Sequence, residues 1–201
     1  MRLRGHVQTR KPMIQSTSIK SEHLNDFDAF FSRLDAGGRA NVDRHLAACE
    51  NDATRDHIRL WKRLAGFLAK LTPHSIRITG QRAIQFYIAD GKYRLQLFAL
   101  EDMRDGKLSL YAADAVDAAL RAGILLPAPR EDHATTYPLG EASDQYLKIE
   151  SLSAATTTSA PEYYKHLLDW NRKAIRITMS TTASPAQVRV VESLCTLAAQ
   201  R

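Results

Sequence analysis

Cysteine is nearly missing from this chain: Cys49 and Cys195 are two among 201 residues. A disulfide-stapled scaffold is thereby excluded, because two half-cystines cannot supply the several cross-links it needs. Glycine and proline are also scarce, at 9 and 7 residues, which excludes collagen-like and mucin-like chains. No apolar run approaches the ~20 residues that carry a helix across a bilayer. A secretory leader needs an apolar stretch of about 7–15 residues near the start, whereas residues 1–20 are polar and basic. With no export signal and two distant cysteines, the expected compartment is the reducing cytoplasm. Met13 offers a second start besides Met1. Enzyme signatures are missing too. There is no Gly-x-Ser-x-Gly elbow, phosphate-cradling P-loop, Gly-x-Gly-x-x-Gly turn or His-Glu-x-x-His helix. No catalytic residue and no cofactor is therefore expected.

What is present is ordinary for a globular protein: 44% hydrophobic and 25% charged residues. That much apolar content excludes disorder throughout, and the length suits about one domain. The formal net charge is +6, and its layout is uneven. Residues 1–20 hold five basic side chains and no acid; residues 57–100 hold eight basic and one acidic. Residues 21–56 and 101–150 are acidic on balance. Alternating blocks of this kind either neutralise one another within the fold or leave a basic face for acidic partners.

Periodicity divides the chain. Residues 22–35 repeat apolar side chains at helical spacing through Phe27, Phe30, Phe31 and Leu34. Gly37-Gly38 is expected to end this helix, and a second is expected over 39–50. A third covers 53–71, its stripe formed by Ile58, Trp61, Leu64, Ala65, Leu68 and Leu71. Pro73 stops it. The period then falls to two over 75–79, 82–89 and 92–99, with Asp90-Gly91 as a hairpin signal. A two-residue turn there predicts Ala89 opposite Lys92, Tyr87 opposite Arg94, Gln85 opposite Gln96 and Ala83 opposite Phe98. The other surface would hold Ile84, Phe86, Ile88, Tyr93, Leu95 and Leu97. Strand 107–112 completes an antiparallel meander.

Helix 114–122 follows, begun by Asp114 and ended by Gly123. Residues 125–144, with Pro127, Pro129, Pro138 and Gly140, read as a long loop. A strand over 145–152, a linker over 153–160 and a helix from Pro161 to Asn171 come next. Strand 174–180 and helix 185–200, capped by Ser184-Pro185, close the chain. Grouped rather than alternating elements predict an α+β fold: N-terminal helices packed with an antiparallel meander, and further helices toward the C-terminus. The expected organisation is a basic tail over 1–20 and one domain over 21–201, its helical part being 21–71.

Three constellations are candidate sites. The first is the polar side of the meander, where Arg77, Tyr87, Arg94 and Gln96 combine a ring with guanidinium and amide groups. Such a surface can bind an acidic ligand or stack a base, and equally it can be the solvated face of an ordinary sheet. The second is the aromatic–basic group Tyr163, His166 and Arg172, a candidate partner surface or simply a packed helix with a cationic end. The third is His45-Leu46-Ala47-Ala48-Cys49, which puts imidazole and thiol one helical turn apart, as zinc ligands can be. This run, from Leu34-Asp35 through His45 to the helix at 53–71, resembles the zinc-binding helical domain of bacterial anti-sigma factors. The resemblance spans fewer than 40 residues and implies zinc at His45 and Cys49. Asp52 stands where that pattern has a second cysteine, and His23 is the candidate upstream ligand. Read without the resemblance, Cys49 is a small buried hydrophobe.

The functional expectation is a non-enzymatic binding or regulatory module acting on a protein or acidic ligand. The alternatives are a nucleic-acid binder using the basic sheet face and tail, and a small enzyme with a pocket near loop 125–144. No membrane partner is expected.

Overall fold

The computed structural model of the protein describes residues 22–50, 55–72, 75–79, 83–90, 93–100, 107–152, 173–179 and 183–200. Three helices lead. α1 spans Glu22–Ser32, α2 Ala36–Glu50 and α3 Arg55–Leu71. The Gly37-Gly38 pair does not terminate a helix, as its sequence suggests; it lies in the first turn of α2. Asp35 explains this. Its carboxylate accepts from the Gly38 amide at 2.6 Å and its carbonyl from the Arg39 amide at 2.9 Å. That side-chain bond satisfies one of the orphan donors of a helix start, so the glycines need not break the run.

The strands are β1 (Ser75–Thr79), β2 (Ala83–Asp90), β3 (Tyr93–Leu100) and β4 (Lys107–Tyr111). Helix α4 (Asp114–Arg121) follows. Its N-cap is Ala113, with no side-chain cap bond, and Asp114 and Asp117 lie in the first turn. There they favour the positive end of the helix dipole, so Asp114 helps start α4 by charge rather than as a cap. Gly123, at φ 69°, ends the helix as anticipated. Strands β5 (Arg130–Glu131), β6 (Ala134–Pro138), β7 (Tyr146–Ser151) and β8 (Ala174–Thr178) precede α5 (Pro185–Ala199). Ser184 caps α5 with a reciprocal capping box to Gln187, and Pro185 takes the first helical turn.

All eight strands described join one antiparallel sheet in the order β1-β2-β3-β4-β8-β7-β6-β5. The α+β expectation holds. Residues 125–144 are not a plain loop: β5 and β6 form a hairpin closed by Glu131 and Ala134, with Asp132 at φ 42° in its turn. The three prolines obscure this in the sequence, yet Pro138 sits at the end of β6, where its missing N–H removes no essential ladder bond and its carbonyl still accepts from Leu126.

The hairpin register also differs. Asp90 pairs with Tyr93, Ala89 with Arg94, Ile88 with Leu95 and Tyr87 with Gln96. A bulge follows, and Phe86 then pairs with Phe98, Gln85 with Ala99 and Ile84 with Leu100. Tyr87 is not opposite Arg94 because the ladder's last pair is Asp90–Tyr93 rather than Ala89–Lys92, a two-residue shift that leaves every side chain on its expected face. The bulge moves Gln85 one residue further, to Ala99, and its cause is apolar burial. An extra residue in one strand reverses which side later residues face. Here it turns Phe98 and Leu100 inward, where both are buried; an uninterrupted ladder would leave Phe98 on the polar side.

One apolar core runs from Phe27 to Ala198. Each described helix contributes: Phe27 from α1, Val42 from α2, Leu64 from α3, Ala119 from α4 and Leu194 from α5. They meet Ile84, Phe86, Phe98, Leu108, Leu110 and Ile177 on one side of the sheet. An aromatic chain marks the junction, with Phe27 6.2 Å from Trp61 and Phe30 6.3 Å from Phe86 between ring centroids. The α1–α3 crossing is close at Gly66. A Cβ there would lie 2.8 Å from the Asp26 carbonyl carbon and 2.9 Å from the Phe27 nitrogen. Gly66→Ala should therefore destabilise the protein by about 1–2 kcal/mol, overpacking outweighing a gain of ~1 kcal/mol in helix propensity. An unchanged or raised melting temperature would contradict this crossing. No helix among the described residues is long and apolar enough to cross a membrane.

Candidate anion-binding face of the sheet

The sheet side opposite the five described helices is polar, and strand alternation builds it. Across its centre, β4, β8 and β7 lie in register. Lys107 pairs with Thr178 and Thr178 with Lys148; one step along, Ser109 pairs with Arg176 and Arg176 with Glu150. Neighbouring strands are ~4.8 Å apart and like-facing residues ~7 Å apart along a strand. Three cations thus surround Thr178 within about 10 Å.

Among the described residues Glu150 is a counter-charge to all three. Lys148 Nζ lies 2.9 Å from Glu150 Oε1, with the two side chains 53% and 33% exposed. The hydrogen bond from Lys148 holds the Glu150 carboxyl below its ordinary range against partial desolvation, and the charges of Lys148, Arg176 and Lys107 act in the same direction. All three cations therefore act on one carboxylate. Lys107, Arg176 and Thr178 are half-buried and Lys148 is exposed. Arg176 Nε is buried and makes no hydrogen bond itself, while the side chain interacts electrostatically with Glu150. Beyond Lys148 the face continues through Thr136, and beyond Glu150 through Ala134 to Glu131.

Two of the residues singled out from sequence lie farther along this face. The Tyr87 hydroxyl donates to Gln85 Oε1 at 2.7 Å, and Gln96 Nε2 donates to the Tyr111 hydroxyl at 3.4 Å. Arg77 pairs with Gln85 and Arg94 with Ala89; the side chains of both lie outside the described residues. So do Tyr163, His166 and Arg172 entirely, and the side chains of His23, His45 and Cys49. Asp52 also lies outside them. Among the described residues no group of three or more His, Cys, Asp or Glu could hold a metal ion.

Lys107, Lys148 and Arg176 are not among the sequence-derived candidates. A signal was available. Lys-x-Ser-x-Tyr, Lys-x-Glu and Arg-x-Thr alternate polar residues within apolar strands, which marks a face. Sequence could not show that β8 lies between β4 and β7.

The helix side carries a groove. Two adjoining depressions of about 280 and 420 Å³ share Ile124, Arg189 and Ser193. Glu141 borders one of them, at the end of the segment where a pocket was anticipated. The charged groups here are paired: Arg189 Nε donates to both Glu141 oxygens at 3.1 and 3.2 Å. Arg63 makes a two-point contact with Glu192 at 2.7 and 2.8 Å. Ser193 and Thr196 donate to the carbonyls of Arg189 and Glu192. These contacts make the groove a strut between α3, α5 and the 141 loop rather than a nucleophile–base arrangement. Cys195 is buried, and desolvation pushes its thiol far above the ordinary range, so it carries no thiolate chemistry.

No match was found to any protein-family model, curated protein or solved structure. The functional reading accordingly rests on the site itself.

Proposed function

We propose that the protein is a non-enzymatic binding module that presents the polar side of its sheet to an acidic partner. The observation that carries this reading is the gathering of Lys107, Lys148 and Arg176 around one carboxylate on that side. The described helices pack on the other side, where the groove's charges are already paired. A group of three cations on one face raises the local concentration of anions and steers them to the surface. Arg176 can make directional two-point contacts, and the lysines act as point charges on longer stems. The face then serves as a docking platform whose affinity falls with salt.

A synthetic polyglutamate peptide tests this. The paired substitution Lys107→Gln with Lys148→Gln is expected to weaken binding about tenfold or more, since charge-assisted contacts are lost. Arg44→Gln with Arg121→Gln removes equal charge from α2 and α4, and should change affinity by less than about twofold. Equal losses in the two pairs would reduce the effect to net charge and overturn the reading.

A further inference from the structure

We propose that the groove on the helix side binds an apolar monocarboxylate, its acyl chain lying along α5 and its carboxylate on Arg189. The site is separate from the polar side of the sheet and does not depend on the docking function proposed above.

Open space is present here. The two depressions of about 280 and 420 Å³ adjoin along α5, and together they form a trough in the size range of small-molecule sites. Arg189, Ser193 and Leu197 recur every four residues of α5 and so share one face. At ~1.5 Å rise per residue this stripe is about 12 Å long, the extended length of an acyl chain of roughly eight to ten carbons. Phe67, Ile124 and Leu197 pack against the core yet are only half-buried, and their uncovered apolar surface lines the larger depression. A chain laid there removes that surface from water.

The polar groups decide the head group and its place. Glu192 is held by Arg63 through both oxygens, with the two side chains only 16% and 22% exposed, so this wall is electrically closed. Ser193 and Thr196 direct their hydroxyl protons to backbone carbonyls, and the middle of the trough offers an anion no hydroxyl donor. Arg189 differs. Its Nε donates to both Glu141 oxygens and its Nη2 lies 3.1 Å from Oε1, in a pair whose side chains are 57% and 41% exposed. The two Nη1 hydrogens lie outside these contacts. Each acid at the trough already meets an arginine with both oxygens, whereas Arg189 keeps donors for a second carboxylate. An anionic head is therefore favoured over an amine, and it sits at the Arg189 end. Exposed ion pairs hold weakly, so Glu141 can yield the guanidinium at small cost.

The test is an NMR titration of the full chain with octanoate, butanoate and 1-octanol. Saturable amide shifts should centre on Ile124 and on α5 between Arg189 and Leu197. Octanoate should bind at least about tenfold tighter than butanoate, because four more methylenes are buried. It should bind about fivefold tighter than 1-octanol through the charge-assisted contact. Arg189→Gln should abolish that preference and leave 1-octanol binding unchanged. Arg44→Gln removes equal charge from α2 and should keep the preference. Ser193→Phe fills the centre of the trough and should abolish binding of both chains. Circular dichroism and thermal melting check each fold; Ser193→Leu, a good helix former, replaces Ser193→Phe if that variant melts early. Equal affinity for octanoate and butanoate would overturn the proposal. So would a carboxylate preference that survives Arg189→Gln, binding that survives the filled trough, or saturable shifts on β4, β7 and β8 in place of α5. If octanoate fails while polyglutamate binding keeps its dependence on Lys107 and Lys148, the groove site falls and the docking face stands.

Discussion

Gly140→Ala is expected to destabilise the protein by about 3–4 kcal/mol, at the upper end of overpacking effects. A Cβ at this position would lie 1.7 Å from the Gly123 carbonyl oxygen, 2.9 Å from the Gly123 carbonyl carbon and 3.3 Å from the Ile124 carbonyl oxygen. These are backbone atoms, so no side-chain rotation relieves the overlap. The two chain segments must separate. Their contact is specific: the Gly140 amide donates to the Ile124 carbonyl at 2.9 Å, and Leu125 bridges to Leu139. Both leucines are fully buried, so separation opens the core beneath α4. In a chain of this size the loss corresponds to a fall in melting temperature of roughly 10 °C. Gly123→Ala is the control. Its added Cβ meets nothing within 4 Å, leaving only the left-handed backbone cost of about 1–2 kcal/mol. Chemical denaturation of both variants measures the contrast. Equal losses would show that the close approach of these two segments does not govern stability.

Phe98→Ala tests the sheet register, with an expected loss of about 3–5 kcal/mol. The uninterrupted hairpin inferred from Asp90-Gly91 places Phe98 on the polar side, where truncation would cost little. The bulge instead places it opposite Phe86 and between that residue and Leu110 on β4. Phe98 and Phe86 are among the largest fully buried side chains. Truncation removes a ring and leaves a cavity lined from two neighbouring strands. A loss below about 1 kcal/mol in equilibrium unfolding would restore the uninterrupted register.

The phase change behind that bulge was legible. Leu95, Leu97 and then Phe98 and Leu100 shift the apolar set from odd to even positions, whereas Ile84, Phe86 and Ile88 on the partner strand keep one phase. The Asp90-Gly91 turn signal implies an uninterrupted ladder instead, but burial of large side chains sets register wherever one face is covered. The hidden hairpin of β5 and β6 has a different cause. Two paired residues in β5 give almost no periodicity, and three prolines in 125–144 resemble loop chemistry. The glycine pair at 37–38 misled for a third reason: the same residues that end helices are tolerated at their first turn when Asp35 supplies a cap.

For the candidate site the polar side of the sheet was visible in alternation, and its membership was not. Tyr87 and Gln96 are legible because they flank a recognisable turn. Lys107, Lys148 and Arg176 are separated by up to 69 residues of chain and become neighbours only because β8 enters between β4 and β7.

The sequence by itself determined what local physics controls. It set the helical stripes of α1 and α3, the alternating strands of the meander, the Gly123 stop and the Ser184-Pro185 start, because each depends on side-chain period or on backbone preference within a few residues. Tertiary structure alone decided the strand order, the bulge that turns Phe98 inward and the cations gathered around Glu150. Those depend on which apolar faces bury one another, and that choice is made between segments far apart in the chain.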